Sequence, residues 1–215
     1  MQKRILHLCE NTLEAELLRI SLDRFDFEYV RISPEFEFTE EHLQSVDADV
    51  LITEISFTDI SVLAILEKLR TWKPHLGIVI LTNCADVRLL GLSIRQLPLG
   101  AQIIDRRDTS EISQLVHAIH DSSRAASDRE DAKMIPALPE RPHSESLMAL
   151  SSLQIETLRL IAQGLSNAEI AKEREVSEKS IEHMVAKIAQ NLELKAAGKI
   201  NLRVCLALEY FKFLT

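Results

Sequence analysis

Short apolar runs alternate with helix-like stretches through the first 120 residues. Residues 4–8, 27–32, 50–55, 78–81 and 101–104 are brief and mostly apolar, and 50–55 is nearly unbroken, the pattern of strands buried on both faces of a parallel sheet. Residues 12–22, 39–46, 61–71 and 112–120 predict helices. The last places Ile112, Leu115, Val116 and Ile119 at the 3–4 spacing of one buried face. Asn11 with Glu14, and Asp108 with Glu111, stand three apart ahead of two of these helices, as in a capping box. The weakest run is 87–96, where Gly91 lowers helix propensity and Pro98 ends the stretch. An alternating α/β domain built on a five-stranded parallel sheet follows.

The pattern then breaks. Residues 121–146 are rich in Ser, charge and Pro, with little apolar periodicity beyond 134–138, and are expected to be a tether. Beyond it every element is helical. Ser151 with Gln154 and Ser166 with Glu169 are capping boxes; Leu158, Ile161 and Ala162 line a first helix that Gly164 stops; Ile170 and Ala171 line a short second one. After a tight turn through Val176, Ser177 caps a third helix with Ile181, Val185, Ile188 and Leu192 on one face. Lys179, Glu182, His183, Ala186, Lys187 and Gln190 are left on the opposite face. Two short helices at an angle, the second amphipathic, describe a helix-turn-helix. The expected organisation is an α/β domain over 1–121, a linker over 122–146 and a helical domain over 147–215.

Composition narrows the function classes. With 46% hydrophobic and 27% charged residues the chain has the balance of a soluble globular protein, no run approaches the roughly 18 apolar residues of a membrane span, and a cytoplasmic location without membrane contact is expected. Cys9, Cys84 and Cys205 form no CxxC pair, so neither a disulfide framework nor a metal site is indicated. Five glycines in 215 residues argue against a nucleotide cradle. His7 and Cys9 lack an orienting third group, so no enzyme, catalytic residue or cofactor is expected. The net charge of -8 is uneven: residues 1–120 hold 19 acidic against 12 basic side chains, whereas 147–215 hold 8 against 9.

At the carboxyl ends of strands in an open parallel sheet, side chains converge on one crevice. Here Glu10 follows the first strand, Glu54 ends the third, Thr82 ends the fourth, and Arg106 or Arg107 follows the fifth. This constellation resembles the receiver domain of bacterial response regulators, which implies a flavodoxin-like strand order. In that family two acidic residues after the first strand hold Mg²⁺, an aspartate ending the third accepts a phosphoryl group, and a lysine follows the fifth. The corresponding positions are Cys9-Glu10, Glu54 and Arg106 or Arg107. A thiol replaces a hard oxygen ligand, and the extra methylene of Glu54 carries its carboxylate roughly 1.5 Å further out. Ordinary phosphorylation is expected to fail. Glu54 is then either a standing stand-in for a phosphoaspartate or a local ion-pair partner, and a small-molecule effector, a protein effector or simple control by abundance is left in place of the phosphate signal.

The stretches "LRLIAQGLSNAEIA" and "VSEKSIEHMVAKIAQNL" resemble the DNA-binding domain of LuxR/NarL-type regulators. The resemblance implies a four-helix domain with 199–213 as a fourth, dimer-supporting helix. It also implies double-stranded DNA as partner, with Glu182, His183 and Ala186 toward base edges and Asn167, Lys179, Ser180 and Lys187 toward phosphates. Glu182 stands where the family usually has a basic residue; it accepts from cytosine's exocyclic amine and is repelled by phosphates. The expected protein is a homodimeric transcription regulator of the two-component type with an atypical receiver. The alternative is a protein-interaction module that keeps the fold without DNA.

Overall fold

The computed structural model of the chain describes residues 2–33, 47–55, 62–84, 86–93, 96–107, 111–127, 147, 149–194 and 201–214. The helix expected at 39–46, Asp108 of the second capping box and most of the tether lie outside these residues. The described residues fall into two compact units, one within Met1–Asn83 and Ile94–Pro139, the other within Cys84–Ser93 and Glu140–Thr215.

In the first unit the order is β1 (Lys3–Leu8), α1 (Thr12–Asp23), β2 (Phe27–Ile32), β3 (Val50–Glu54), α2 (Val62–Trp72), β4 (Gly77–Thr82), β5 (Gln102–Asp105) and α3 (Ile112–Ser127). All strand pairs are parallel and the sheet order is β2-β1-β3-β4-β5, so the five expected strands and the flavodoxin-like order are present. Ile5, Val50, Ile52, Val79 and Leu81 meet Leu22 of α1 and Leu115, Val116 and Ile119 of α3 in one core. Each such side chain contributes roughly 1.5–3 kcal/mol by leaving water. Gly77 opens β4 where a Cβ would lie 2.8 Å from the Ser123 backbone nitrogen, so only glycine lets α3 lie this close. Helix α3 runs seven residues past the expected stop at 120, because Ser122 and Ala126 continue its buried face into the residues that composition assigned to the tether.

In the second unit α4 (Ser152–Ala162), α5 (Asn167–Glu173), α6 (Glu178–Asn191) and α7 (Leu202–Leu214) surround Ile155, Leu158, Ile161, Ile170, Ile181, Ile188, Leu206 and Tyr210. Both expected capping boxes are formed, at Ser151–Gln154 and Ser166–Glu169, and Ser177 caps α6 through the Ser180 N–H. Gly164 takes a left-handed φ of 93° after α4, the conformation a glycine adopts without strain. The same unit includes the segment after β4. Where a helix is expected at 87–96, residues 87–93 hold a 3₁₀ turn, Val87–Leu90, with Asp86 as its cap and Gly91 left-handed at its end. The buried Tyr210 hydroxyl donates to the Leu89 carbonyl at 2.6 Å.

Candidate functional site

Parallel register brings the ends of β1, β3, β4 and β5 to one edge of the sheet. Thr82 pairs with Asp105, and the Arg106 N–H donates to the Thr82 carbonyl at 2.9 Å, which fixes where the Arg106 side chain starts. Its guanidinium then reaches two carboxylates: Nη1 donates to Glu54 Oε1 at 2.5 Å, and Nη2 pairs with Glu14 Oε1 at 2.6 Å. Arg106 is thus the arginine that meets Glu54, whereas Arg107 turns back to Asp105, donating its backbone N–H to Oδ1 at 2.9 Å. Burial raises the Glu54 carboxyl above its ordinary range; Arg106 opposes that shift, and Glu14 and Glu10 add to it. Thr82 is buried at the same edge.

The other two pocket positions are less suited to metal chemistry. Cys9 is buried, its Sγ donates to the Asn11 carbonyl at 3.3 Å, and burial pushes the thiol up, away from the thiolate that a metal would need. Glu10 is exposed, and its carbonyl accepts from Arg31 Nη2 at 3.1 Å. With Glu54 engaged by Arg106, the side chains do not fit the hard octahedral cation of the receiver family. Among the described residues, no group of three or more His, Cys, Asp and Glu is placed to hold a metal.

Two neighbours of this edge escaped the sequence reading. Glu14 carries the spacing of a capping box with Asn11, and the Asn11 side chain does accept from the Leu13 and Glu14 N–H groups, but the Glu14 carboxylate goes to Arg106 instead of closing the box. Tyr29 on β2 meets the buried His7 of β1, hydroxyl to Nδ1, at 2.5 Å. Burial, with Arg106 and Arg31 nearby, lowers His7 to about 4. His7 is therefore a neutral core group near pH 7.

On α6, Ile181 and Ile188 are buried while Lys179, Ser180, Glu182, His183, Ala186, Lys187 and Gln190 are exposed. Val185 and Leu192, expected inside, are only half-buried. The exposed residues form one polar ridge along a 14-residue helix. Ser180 is drawn into the cap, its Oγ 2.8 Å from Ser177 Oγ. Asn167, half-buried at the start of α5, stands apart from this ridge: its Oδ1 accepts from Arg203 Nη1 of α7 at 2.7 Å, leaving the amide nitrogen as its side-chain donor.

Residues 148–200 match the bacterial regulatory proteins of the luxR family. The helix-turn-helix of the second unit is a luxR-family domain. Over 156 residues, 72% of each protein, the chain is 27% identical to the Fimbriae Z protein of Salmonella typhimurium. The fold is also that of the two-component response regulator RcsB in a complex with DNA, with a TM-score of 0.55 at 18% identity and all of both chains covered. A second structure, of two RcsB dimers bound to two parallel DNAs, gives 0.53 at 19% identity, again over all of both chains. On α7, just beyond the matched residues, Arg203 went unnoticed in the sequence. It lies 36 residues from Asn167, and no local spacing links them.

Proposed function

We propose that the chain is a DNA-binding transcription regulator that acts as a homodimer and whose receiver-like half works without ordinary phosphorylation. The observation that carries the first part is the polar ridge of α6 within a luxR-family domain. A helix of this kind enters the major groove, with Glu182, His183 and Ala186 addressing base edges and Lys179, Ser180 and Lys187 addressing phosphates, while Asn167 meets a phosphate through its amide nitrogen. Glu182 shifts preference toward cytosine and weakens nonspecific affinity. Two copies on half-sites about one helical turn apart then supply the affinity that one lightly charged head lacks. An apolar line on α7, Val204, Leu208 and Phe211, exposed at 4-3 spacing, supports pairing of the heads.

The second part rests on Arg106. Its bridge from Glu14 to Glu54 occupies the acceptor carboxylate from within, and a buried thiol stands in place of one acidic residue. An effector, a small molecule or a protein, would act on this half by rearranging the bridge. The test is selection of genomic DNA fragments by the purified chain, followed by mass measurement after incubation with acetyl phosphate and Mg²⁺. Recovery of a recurrent, two-fold related sequence and an unchanged protein mass are expected. Recovery of no sequence above background would favour the protein-interaction alternative, and a stable added phosphoryl group would end the phosphorylation-independent reading.

A further inference from the structure

We infer that Arg203 is a positioning residue for duplex binding, which holds the side-chain amide of Asn167 in the orientation that presents a donor to a phosphate. On α7 the fully buried stripe is Leu206 and Tyr210, and Arg203 stands three residues before Leu206 on the same face. The Asn201 side chain caps this helix by accepting from the Arg203 N–H at 2.9 Å, which fixes where the arginine leaves the backbone. Its Nη2 is buried with no hydrogen-bond partner among the described residues, and burial lowers the affinity of the guanidinium for its proton. A charge set into an apolar stripe costs desolvation that an apolar side chain there would not. The partner it meets is neutral: Nη1 donates to Asn167 Oδ1 at 2.7 Å.

A guanidinium has donors only, so the atom of Asn167 that faces it must be the oxygen. The planar amide then turns Nδ2 away from Arg203, and among the described residues this nitrogen has no hydrogen-bond partner. A neutral donor would leave the flipped amide within reach; a charged one strengthens the bond to oxygen and sets donor against donor when the amide flips. A donor held this way loses less freedom on meeting a phosphate. The neighbouring acid does not take the arginine. Glu169 is exposed, and its carboxylate accepts from the Ser166 N–H at 2.7 Å and from the Ser166 hydroxyl at 2.8 Å, which hold it below its ordinary range, with Arg203 adding a smaller pull. Arg203 thus also offsets a negative charge two residues from Asn167 that opposes a phosphate.

This role rests on the DNA-binding reading above, and the experiment separates the two. Phosphate contacts carry no sequence information directly, so a labelled duplex of mixed sequence at low salt serves as the probe. Fluorescence anisotropy compares the full chain with Asn167→Ala, with Arg203→Met, which suits the apolar stripe, with the double variant and with Asn167→Asp, while circular dichroism confirms each fold. Asn167→Ala is expected to weaken binding roughly tenfold, the range of a hydrogen bond to a charged group. Arg203→Met is expected to weaken it severalfold in the wild type and distinctly less in the Asn167→Ala background, because the arginine acts through the amide and only its offset of Glu169 remains. Asn167→Asp keeps an oxygen for Arg203 and turns a second oxygen outward, so it is expected to unfold no earlier than the wild type on heating and to bind more weakly than Asn167→Ala. An equal fold-loss from Arg203→Met in both backgrounds, or Asn167→Asp binding at least as well as Asn167→Ala, overturns the positioning role while leaving DNA binding intact. A wild-type chain that ignores the duplex overturns both.

Discussion

At the scale of single residues, the receiver-like edge is governed by one cation shared between two carboxylates. Removing it by Arg106→Ala leaves Glu14 and Glu54 facing each other without compensation. Because both are partly exposed, the loss of stability is expected to be about 1–2 kcal/mol, measured by urea unfolding. His7 sets a pH dependence whose sign is fixed by its lowered value of about 4. Below the ordinary 6.5 the unfolded chain takes up a proton that the folded chain refuses, so stability falls as pH drops from 6.5 to 4, by about 3 kcal/mol at most. Unfolding across this range should show that extra loss in the wild type and not in His7→Gln. Glu54 was legible in the sequence as a charge ending a buried strand, and Thr82 as the end of the fourth. The choice between Arg106 and Arg107 was not, because it depends on which of two adjacent side chains leaves β5 toward β3. Glu14 was misread for a related reason: local spacing offered it a backbone N–H three residues back, and a guanidinium distant in sequence proved the stronger partner.

At the scale of elements, continuous patterns gave reliable boundaries. The strand at 27–32 is observed as expected, and the others differ by a residue at one or both ends. Where local signals conflicted, tertiary packing decided. Residues 87–90 keep a 3₁₀ turn because Leu89 and Leu90 are buried in the second unit, and α3 outlasts its strongly amphipathic part because Gly77 lets its last turns approach β4. Gly77→Ala is expected to cost about 1–3 kcal/mol, since the clash is with backbone and cannot be relieved by a rotamer change. Tyr210→Phe leaves the Leu89 carbonyl buried without the hydroxyl, and a loss of roughly 1–2 kcal/mol is expected in thermal or urea unfolding. The amphipathic period of α6 placed its polar ridge correctly, since faces of a helix follow from spacing alone. Asn167 shows where that logic stops, because its partner lies on another helix.

At the scale of the whole molecule, the order of elements was readable because alternating strand and helix patterns permit few architectures, and a luxR-family helix-turn-helix has closely spaced caps and turns. Among the described residues, no helix is long and apolar enough to cross a membrane. Which face of α1 is exposed was not readable from periodicity, since an apolar line such as Leu13, Leu17 and Ile20 looks like a buried one until the inner face is known. The central claim is that α6 carries the chain onto duplex DNA through phosphate neutralisation. It is tested most directly by fluorescence anisotropy of a labelled duplex titrated with the full chain over a range of salt. The account predicts that the logarithm of the binding constant falls linearly with the logarithm of salt, and that Lys187→Ala makes the slope shallower by about one. Absence of binding at the lowest salt, or a slope that Lys187→Ala leaves unchanged, would contradict it.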